Sequence, residues 1–143
     1  MSNSSFSIRQ AFWNHDQAAL REVRSQVFIR EQQVPKALEW DGLDPAAVHI
    51  LAIDNDHNPI ATGRLLPSGQ IGRMAVMAEW RNRGVGSAVL RHLLKLSSSL
   101  EAPALFLNAQ ATAIKFYQRH GFHIVGPQFM EAGIIHYRME VEA

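Results

Sequence analysis

The sequence predicts an α/β domain with a mixed sheet, and three observations carry that prediction. Apolar strands at Val48–Ile53, Ile60–Leu66 and Ile71–Met77 follow one another across turn clusters, as antiparallel hairpins do. In the second half strand and helix alternate, which demands crossover connections and therefore some parallel pairing. The run Ala104–Leu107 has no polar face, the pattern of a strand covered on both sides.

The elements follow in order. Phe6 to Trp13 alternates loosely and reads as a first strand. Asp16 is placed to cap a helix that carries Leu20, Val23, Val27 and Phe28 at helical spacing, and Pro35 ends it. An irregular acidic stretch runs on through Pro45. Turn-forming residues at Asp54–Pro59 and Pro67–Gly69 separate the three hairpin strands. A helix starts near Gly84 with Val85, Val89, Leu93 and Leu96 on one face, and Ser97–Ser99 reads as a polar break after it. Ala111–His120 is an amphipathic helix closed by Gly121. Phe122–Val125 and Ile134–Val141 are the last strands, with Pro127–Gly133 a loop between them. The order is β-α-β-β-β-α-β-α-β-β.

Composition narrows the function classes. With 143 residues, 47% of them apolar, the chain can bury a core without staples, and a single domain spanning 1–143 is expected. Cysteine is absent, which excludes disulfides, a thiol nucleophile and thiolate metal sites, and agrees with a cytoplasmic setting. A net charge of +1 argues against a nucleic-acid partner. No apolar run is long enough for a bilayer, and the first residues lack a signal peptide's basic start, so no membrane partner is expected. The seven histidines are scattered, and only His120 and His123 are close, with Gly121 between them; they read as surface imidazoles rather than metal ligands.

Charge is uneven along the chain. Residues 37–63 hold Glu39, Asp41, Asp44, Asp54 and Asp56 and sum to −5. Residues 64–95 set Arg64, Arg73, Arg81, Arg83, Arg91 and Lys95 against Glu79 and sum to +5. This is either a polarity suited to an anionic cofactor and a cationic substrate, or solvated loops beside a basic helix; on charge alone the second reading is preferred.

The segment with most chemistry is Arg81-Asn82-Arg83-Gly84-Val85-Gly86, lying between a strand and a helix. A helix start leaves amide N–H groups unpaired and carries partial positive charge. Glycines at 84 and 86 let a ligand approach the backbone, and Arg81 and Arg83 add charge. The combination suits a pyrophosphate. It is neither a Walker loop, which needs Gly-Lys-Ser/Thr, nor a dinucleotide fingerprint, which needs Gly or Ala where Val89 stands. Further on, Phe116-Tyr117-Gln118-Arg119-His120-Gly121-Phe122 closes a helix and opens a strand.

With the element order and length, the pairing of Arg-x-x-Gly-x-Gly with Phe-Tyr-x-x-x-Gly-Phe about thirty residues later resembles the GNAT superfamily of N-acetyltransferases. The resemblance covers nearly the whole chain. It implies the acyl-coenzyme A N-acyltransferase fold, with acetyl-coenzyme A as donor held between two splayed parallel strands, here Ile71–Met77 and Ala104–Asn108. It further implies that Met74, Ala75 and Val76 meet the pantetheine arm and thioester. Arg81, Asn82, Arg83, Gly84, Val85, Gly86 and Ser87 would wrap the pyrophosphate, Asn108 would lie where the second strand opens, and Tyr117 would assist departure of the thiolate. The acceptor would enter between the Glu31–Asp44 region and the Pro127–Gly133 loop. Three positions depart from common family patterns: Asn82 replaces a Gly, Gln110 replaces an Asn, and Ile71–Met77 carries no carboxylate.

The implied reaction is acetyl transfer to a primary amine, on a small molecule or a peptide, by direct attack. A non-catalytic acyl-coenzyme A sensor or scaffold of the same fold is the alternative. Deprotonating an alkyl ammonium of pKa about 10.4 at pH 7 costs about 4–5 kcal/mol unless a base or a desolvating pocket helps. Candidates for the base are Glu31, then Asp41 and His49, with Asp44 also considered; for each, a solvated or salt-bridged acid or, for His49, a structural strand histidine is the preferred reading. A phenol near 10 protonating a thiolate near 8.5 is uphill by about 2 kcal/mol, so Tyr117 suits a hydrogen bond to developing charge. The final strands leave both a monomer and an edge-paired homodimer open.

Overall fold

The computed structural model describes residues 5–100 and 103–141. Strand β1 (Phe6–Ala11) leads into helix α1 (Trp13–Arg24), which widens into a π-helical stretch at Ser25–Glu31. A short helix α2 (Lys36–Glu39) and a 3₁₀ turn at Asp44–Ala46 occupy the acidic stretch. Then come β2 (Val48–Asp54), β3 (Pro59–Leu65), β4 (Gln70–Val76), a 3₁₀ turn at Ala78–Trp80, and α3 (Val85–Ser99). Strand β5 (Phe106–Gln110) precedes a 3₁₀ turn at Ala111–Ala113 and α4 (Ile114–Gln118), and β6 (Phe122–Ile124), β7 (Phe129–Glu131) and β8 (Ile134–Val141) finish the chain.

The sheet order is β1-β2-β3-β4-β5-β8-β6, with β7 also on β8. Among the described residues every pairing is antiparallel except β4 with β5. This is the mixed α/β sheet that the strand and helix alternation predicts, antiparallel at its front. Side-chain alternation on β2 assigns the two faces. Ile50 and Ala52 pack with Val85, Val89, Leu90 and Leu93 of α3, whereas Leu51 packs with Leu20 of α1. Gly63 lets α3 lie close: a Cβ there would sit 2.7 Å from Val89 Cγ1 and 2.8 Å from Leu93 Cδ1.

A bulge in β4 sets up the site. Thr62 faces Ala75 and Arg64 faces Gly72, so Arg73 and Met74 together stand opposite Gly63. Arg73 takes a left-handed φ of +50°, and its carbonyl accepts a 2.9 Å hydrogen bond from the Thr62 hydroxyl. Such an insertion bends its strand. Just before it, β4 pairs with β5 at Gln70↔Phe106 and Ile71↔Leu107 only. Beyond those two pairs the parallel strands part.

Several boundaries differ from expectation. The first strand ends at Ala11, and Phe12 rather than Asp16 holds the N-cap of α1. Asp16 lies in the first turn, where its carboxylate accepts the Phe12 N–H and an Arg9 N–H, each at 2.8 Å, pinning the corner from outside. Ser97–Ser99 do not break the chain but continue α3: the Ser97 and Ser99 hydroxyls donate to Leu94 O and Leu96 O at 2.7 and 3.0 Å. The apolar strand begins at Phe106, later than its run suggests, and extends through Asn108 to Gln110. Within the expected loop at 127–133, β7 forms a hairpin with β8 through Ala132 (φ +52°) and Gly133 (φ +76°). That two-residue turn needs left-handed backbone at both positions, and Ala-Gly is a weak signal for it. No helix of the described residues is long and apolar enough to cross a membrane.

Candidate active site

Two cavities open where β4 and β5 separate. One, of about 440 Å³, lies under the N-terminus of α3 and is bordered by Ala75, Val76, Arg81, Gly84 and Phe116. The other, of about 370 Å³, is bordered by Leu38, Asp41, Arg73, Asn108, Glu131 and His136. Both touch Gln32, Met74, Gln110, Ala113 and Tyr117. A group placed at the bulge of β4 therefore faces both spaces at once.

The first cavity is built largely of backbone. No side chain caps α3, whose N-cap is Gly84 at φ +82°, and a Cβ there would meet nothing within 4 Å. The opening N–H groups of a fifteen-residue helix thus face open space, with the helix dipole behind them. Asn82 is also left-handed, at φ +64°. Met74, Ala75, Val76, Arg81, Asn82, Gly84, Val85, Gly86 and Ser87 all border this cavity. Arg83 does not; its guanidinium lies 4.9 Å above the Trp80 ring. Asn108 borders the second cavity instead. The unpaired amides and the space left by Gly84 fit a diphosphate, whereas Arg83 and Asn108 do not border this cavity.

Arg81 is held from two sides. Its Nε donates to Val76 O at 2.9 Å, and its terminal nitrogens donate to both oxygens of Glu31 at 2.6 and 2.7 Å. These hydrogen bonds hold the Glu31 carboxyl below its ordinary range. Beside Glu31, the Gln110 amide donates to Gln32 Oε1 at 2.8 Å where the two cavities meet.

Tyr117 is 8% exposed, and its ring is gripped edge-on by Phe116 and Phe122 at 5.0 and 6.0 Å. Burial pushes its phenol above the ordinary value, so it stays protonated as a hydrogen-bond donor.

The second cavity is built by charged side chains. Arg24, 1% exposed, donates to Glu39 at 2.8 Å and to Asp44 at 2.7 Å. Arg64 donates to Asp41 and Asp44, and Arg73 donates to Asp41 and to the carbonyls of Leu38 and Glu39. Three guanidinium groups thus meet three carboxylates. At these positions the acidic and basic stretches of the sequence are not solvated loops: Glu39, Asp41 and Asp44 are neutralised by Arg24, Arg64 and Arg73 in a largely buried network, part of which borders the second cavity. Burial pushes the Asp41 carboxyl up, but hydrogen bonds from Arg64 and the Leu43 amide, with the charges of Arg64 and Arg73, overcome this and hold it at about 2.

His49 borders neither cavity. It is 1% exposed, stacks on Trp13 at 5.4 Å, and donates from Nε2 to Asp44 O at 2.9 Å. Burial holds its pKa below the ordinary value. Of the four base candidates, Glu31, Asp41 and Asp44 are thus ion-paired and His49 is remote. His136, only 6% exposed, borders the second cavity and was not singled out in the sequence. It and His49 are buried, against the reading of the histidines as surface groups, which holds for the other five, exposed or partly exposed. The one signal for His136 was strand alternation in Ile134–Val141, which does not say what the inward face meets. No cluster of three or more metal-ligating side chains occurs among the described residues.

Residues 14–143 match the family model for the acetyltransferase (GNAT) domain. The uncharacterized N-acetyltransferase YjcF of Bacillus subtilis is 35% identical over 121 residues, 82% of this chain and 86% of that one. ElaA of Escherichia coli is 33% identical over 132 residues, 87% of this chain and 86% of that one. The crystal structure of ElaA and that of an acyl-CoA N-acyltransferase from Pseudomonas aeruginosa each superpose with a TM-score of 0.85 at 28% identity, covering 96% of this chain and all of the other. By sequence and by structure, then, this chain belongs to the GNAT acetyltransferase family, whose members transfer acyl groups from acyl-coenzyme A.

Proposed function

We propose that the protein is a single-domain enzyme that moves the acetyl group of acetyl-coenzyme A to a primary amine by direct attack. The observation that supports this reading is the junction at Met74 and Tyr117, where a cavity floored by free helix amides meets a second cavity lined by charged side chains, where an acceptor would bind. Amides at the start of α3 would hold the pyrophosphate, with Arg81 and Ser87 beside them. The edge of β4 left unpaired by the splay, from Met74 to Val76, would take the pantetheine arm, and Asn108 would stand on the acceptor side. Tyr117, a protonated phenol in a dry setting, would donate to the sulfur as charge grows on it. When bound, the thioester supplies the activated acyl carbon; the chain's own part is to orient it and to manage the proton.

The test has two parts. Calorimetry with coenzyme A should give binding that weakens at least tenfold in Gly84→Asp, which adds a Cβ and a negative charge at the phosphates. Unchanged affinity in that variant would remove the pyrophosphate assignment. Thiol release from acetyl-coenzyme A should depend on an added amine from a panel of amino acids, peptides, polyamines and amino sugars. Binding without amine-dependent release would leave the sensor reading, which the lack of a carboxylate on β4 favours.

A further inference from the structure

His136 stands on β8, opposite Gln110 of β5 and Phe129 of β7 in the two ladders. Its Nδ1 lies 2.8 Å from Ile134 O. A carbonyl oxygen only accepts, so the hydrogen is on Nδ1 and the neutral ring presents a lone pair at Nε2. The ring stacks on Phe129 with centroids 5.9 Å apart, which fixes its plane. Among the described residues Nε2 has no hydrogen-bond partner, and it lies 3.7 Å from Glu131 Oε2. That distance is long for a hydrogen bond to a neutral ring and suits an ion pair once Nε2 is protonated.

The bond to Ile134, the stacking and the carboxylate thus leave an imidazole whose free lone pair borders the same cavity as Tyr117. The orienting hydrogen bond on one nitrogen, the acceptor on the other and a nearby carboxylate form the arrangement that a general base needs. Of the other carboxylates that line the cavity, Glu39 and Asp41 are paired with arginines and Glu131 faces His136 itself; Glu31, which borders neither cavity, is paired with Arg81.

We propose that His136 is the catalytic base that takes the proton of the acceptor nitrogen, with Glu131 stabilising the imidazolium that forms. This rests on the acetyl-transfer reading above. As the amine lone pair makes the C–N bond at the thioester carbonyl carbon, one nitrogen proton passes to Nε2 and the C–S bond breaks with its electron pair on sulfur. The imidazolium then returns that proton, through solvent, to the thiolate, so amine and thioester become amide and thiol with no charge left over.

The charged and titratable groups that border the cavity with His136 are Glu131 from β7, Tyr117 from α4, Arg73 from β4 and Arg64 from β3, together with Glu39 and Asp41. In protein labelled with nitrogen-15 histidine, long-range proton–nitrogen spectra at pH 8 should give His136 as the Nδ1–H form. In kinetics with acetyl-coenzyme A and the best amine of the panel, His136→Gln should lower kcat by roughly 10²–10⁴-fold and abolish the acid limb of the kcat/KM profile. Glu131→Gln should lower kcat by less than His136→Gln does, because the imidazolium loses its counter-charge while the base remains. His136→Asn keeps an N–H for Ile134 O and should be as slow as the Gln variant, while all three variants bind coenzyme A as the parent does. An Nε2–H form, an acid limb that survives in both His136 variants, or turnover within threefold of the parent would overturn the assignment. A parent that binds coenzyme A but acetylates no amine overturns the acetyl-transfer reading and this one with it. Turnover preserved in His136→Gln removes His136 alone.

Discussion

The two cavities that meet at Tyr117 are made of different material. On the side of α3 the working surface is main chain: free amides, a left-handed glycine, and the edge of β4 exposed by the bulge at Arg73. On the opposite side it is side chains from α1, α2, β3 and β4, locked by three arginines against three carboxylates. A backbone site asks little of residue identity beyond small size and permitted dihedral angles, and it suits a ligand common to many related proteins. A side-chain site must be balanced charge for charge, and it sets the shape and polarity offered to an individual acceptor.

The sharpest way to break this contrast is to unbalance the charged side. Arg24→Leu leaves three carboxylates to two guanidinium groups: Asp44 keeps Arg64 and Glu39 keeps Arg73, but one buried negative charge is no longer balanced. An uncompensated buried carboxylate costs far more than the intact pair contributes, so we expect a loss of about 3–5 kcal/mol in urea unfolding. A loss under 1 kcal/mol would mean that water reaches these groups and that the network is not the scaffold of the acceptor side.

At the seam between the two sides the expected effect is on rate. Tyr117→Phe removes only a hydroxyl, and the ring keeps its contacts with Phe116 and Phe122. Turnover should fall by about 10–1000-fold, or about 1.4–4 kcal/mol of barrier, with coenzyme A affinity within twofold of the parent. Steady-state kinetics beside calorimetry reads both. Unaltered turnover would remove Tyr117 from the reaction.

The same contrast explains what could be read from the sequence. The lining of the cavity under α3 was legible because most of it is contiguous: Arg81 to Ser87 is one loop and one helix start, the glycines announce the backbone they need, and only Arg83 turns away, onto Trp80. The order of strands and helices was legible for a similar reason, since periodicity is local. The acceptor side was not. Nothing local says that Arg24, Asp44 and Arg64, far apart in the chain, share one buried network, and so the charge asymmetry of residues 37–95 read as solvated polarity. Arg73 was visible only as a strand cation; that it occupies the bulge at a positive φ follows from pairing register, which depends on β3. His136 became a site residue only when β7, hidden by a weak Ala-Gly turn, brought Glu131 and Phe129 to it.

The smallest expected effect separates the two ion-pair systems by pH. Both Asp41 and Glu31 have carboxyls lowered in the folded protein, Asp41 to about 2 and Glu31 by the hydrogen bonds from Arg81. A group lowered on folding stabilises above its unfolded pKa, and that contribution fades as pH falls toward the folded value. For Asp41 the window runs from about pH 4 down to about 2, so acid should weaken the parent there more than it weakens Asp41→Asn. The Glu31–Arg81 pair has both side chains 37% exposed, and solvent and salt screen it. Glu31→Gln should therefore cost only about 0.2–1 kcal/mol at pH 7, most of it gone in 1 M salt, although its hydrogen bonds, at 2.6 and 2.7 Å, are as short as the shortest in the buried network. Thermal unfolding of both variants against pH and salt measures the difference. A Glu31→Gln penalty that equals that of Asp41→Asn and ignores salt would make the strap between the π-helical stretch and the loop before α3 a structural element as firm as the buried network, and the division into a backbone side and a side-chain side would fail at that point.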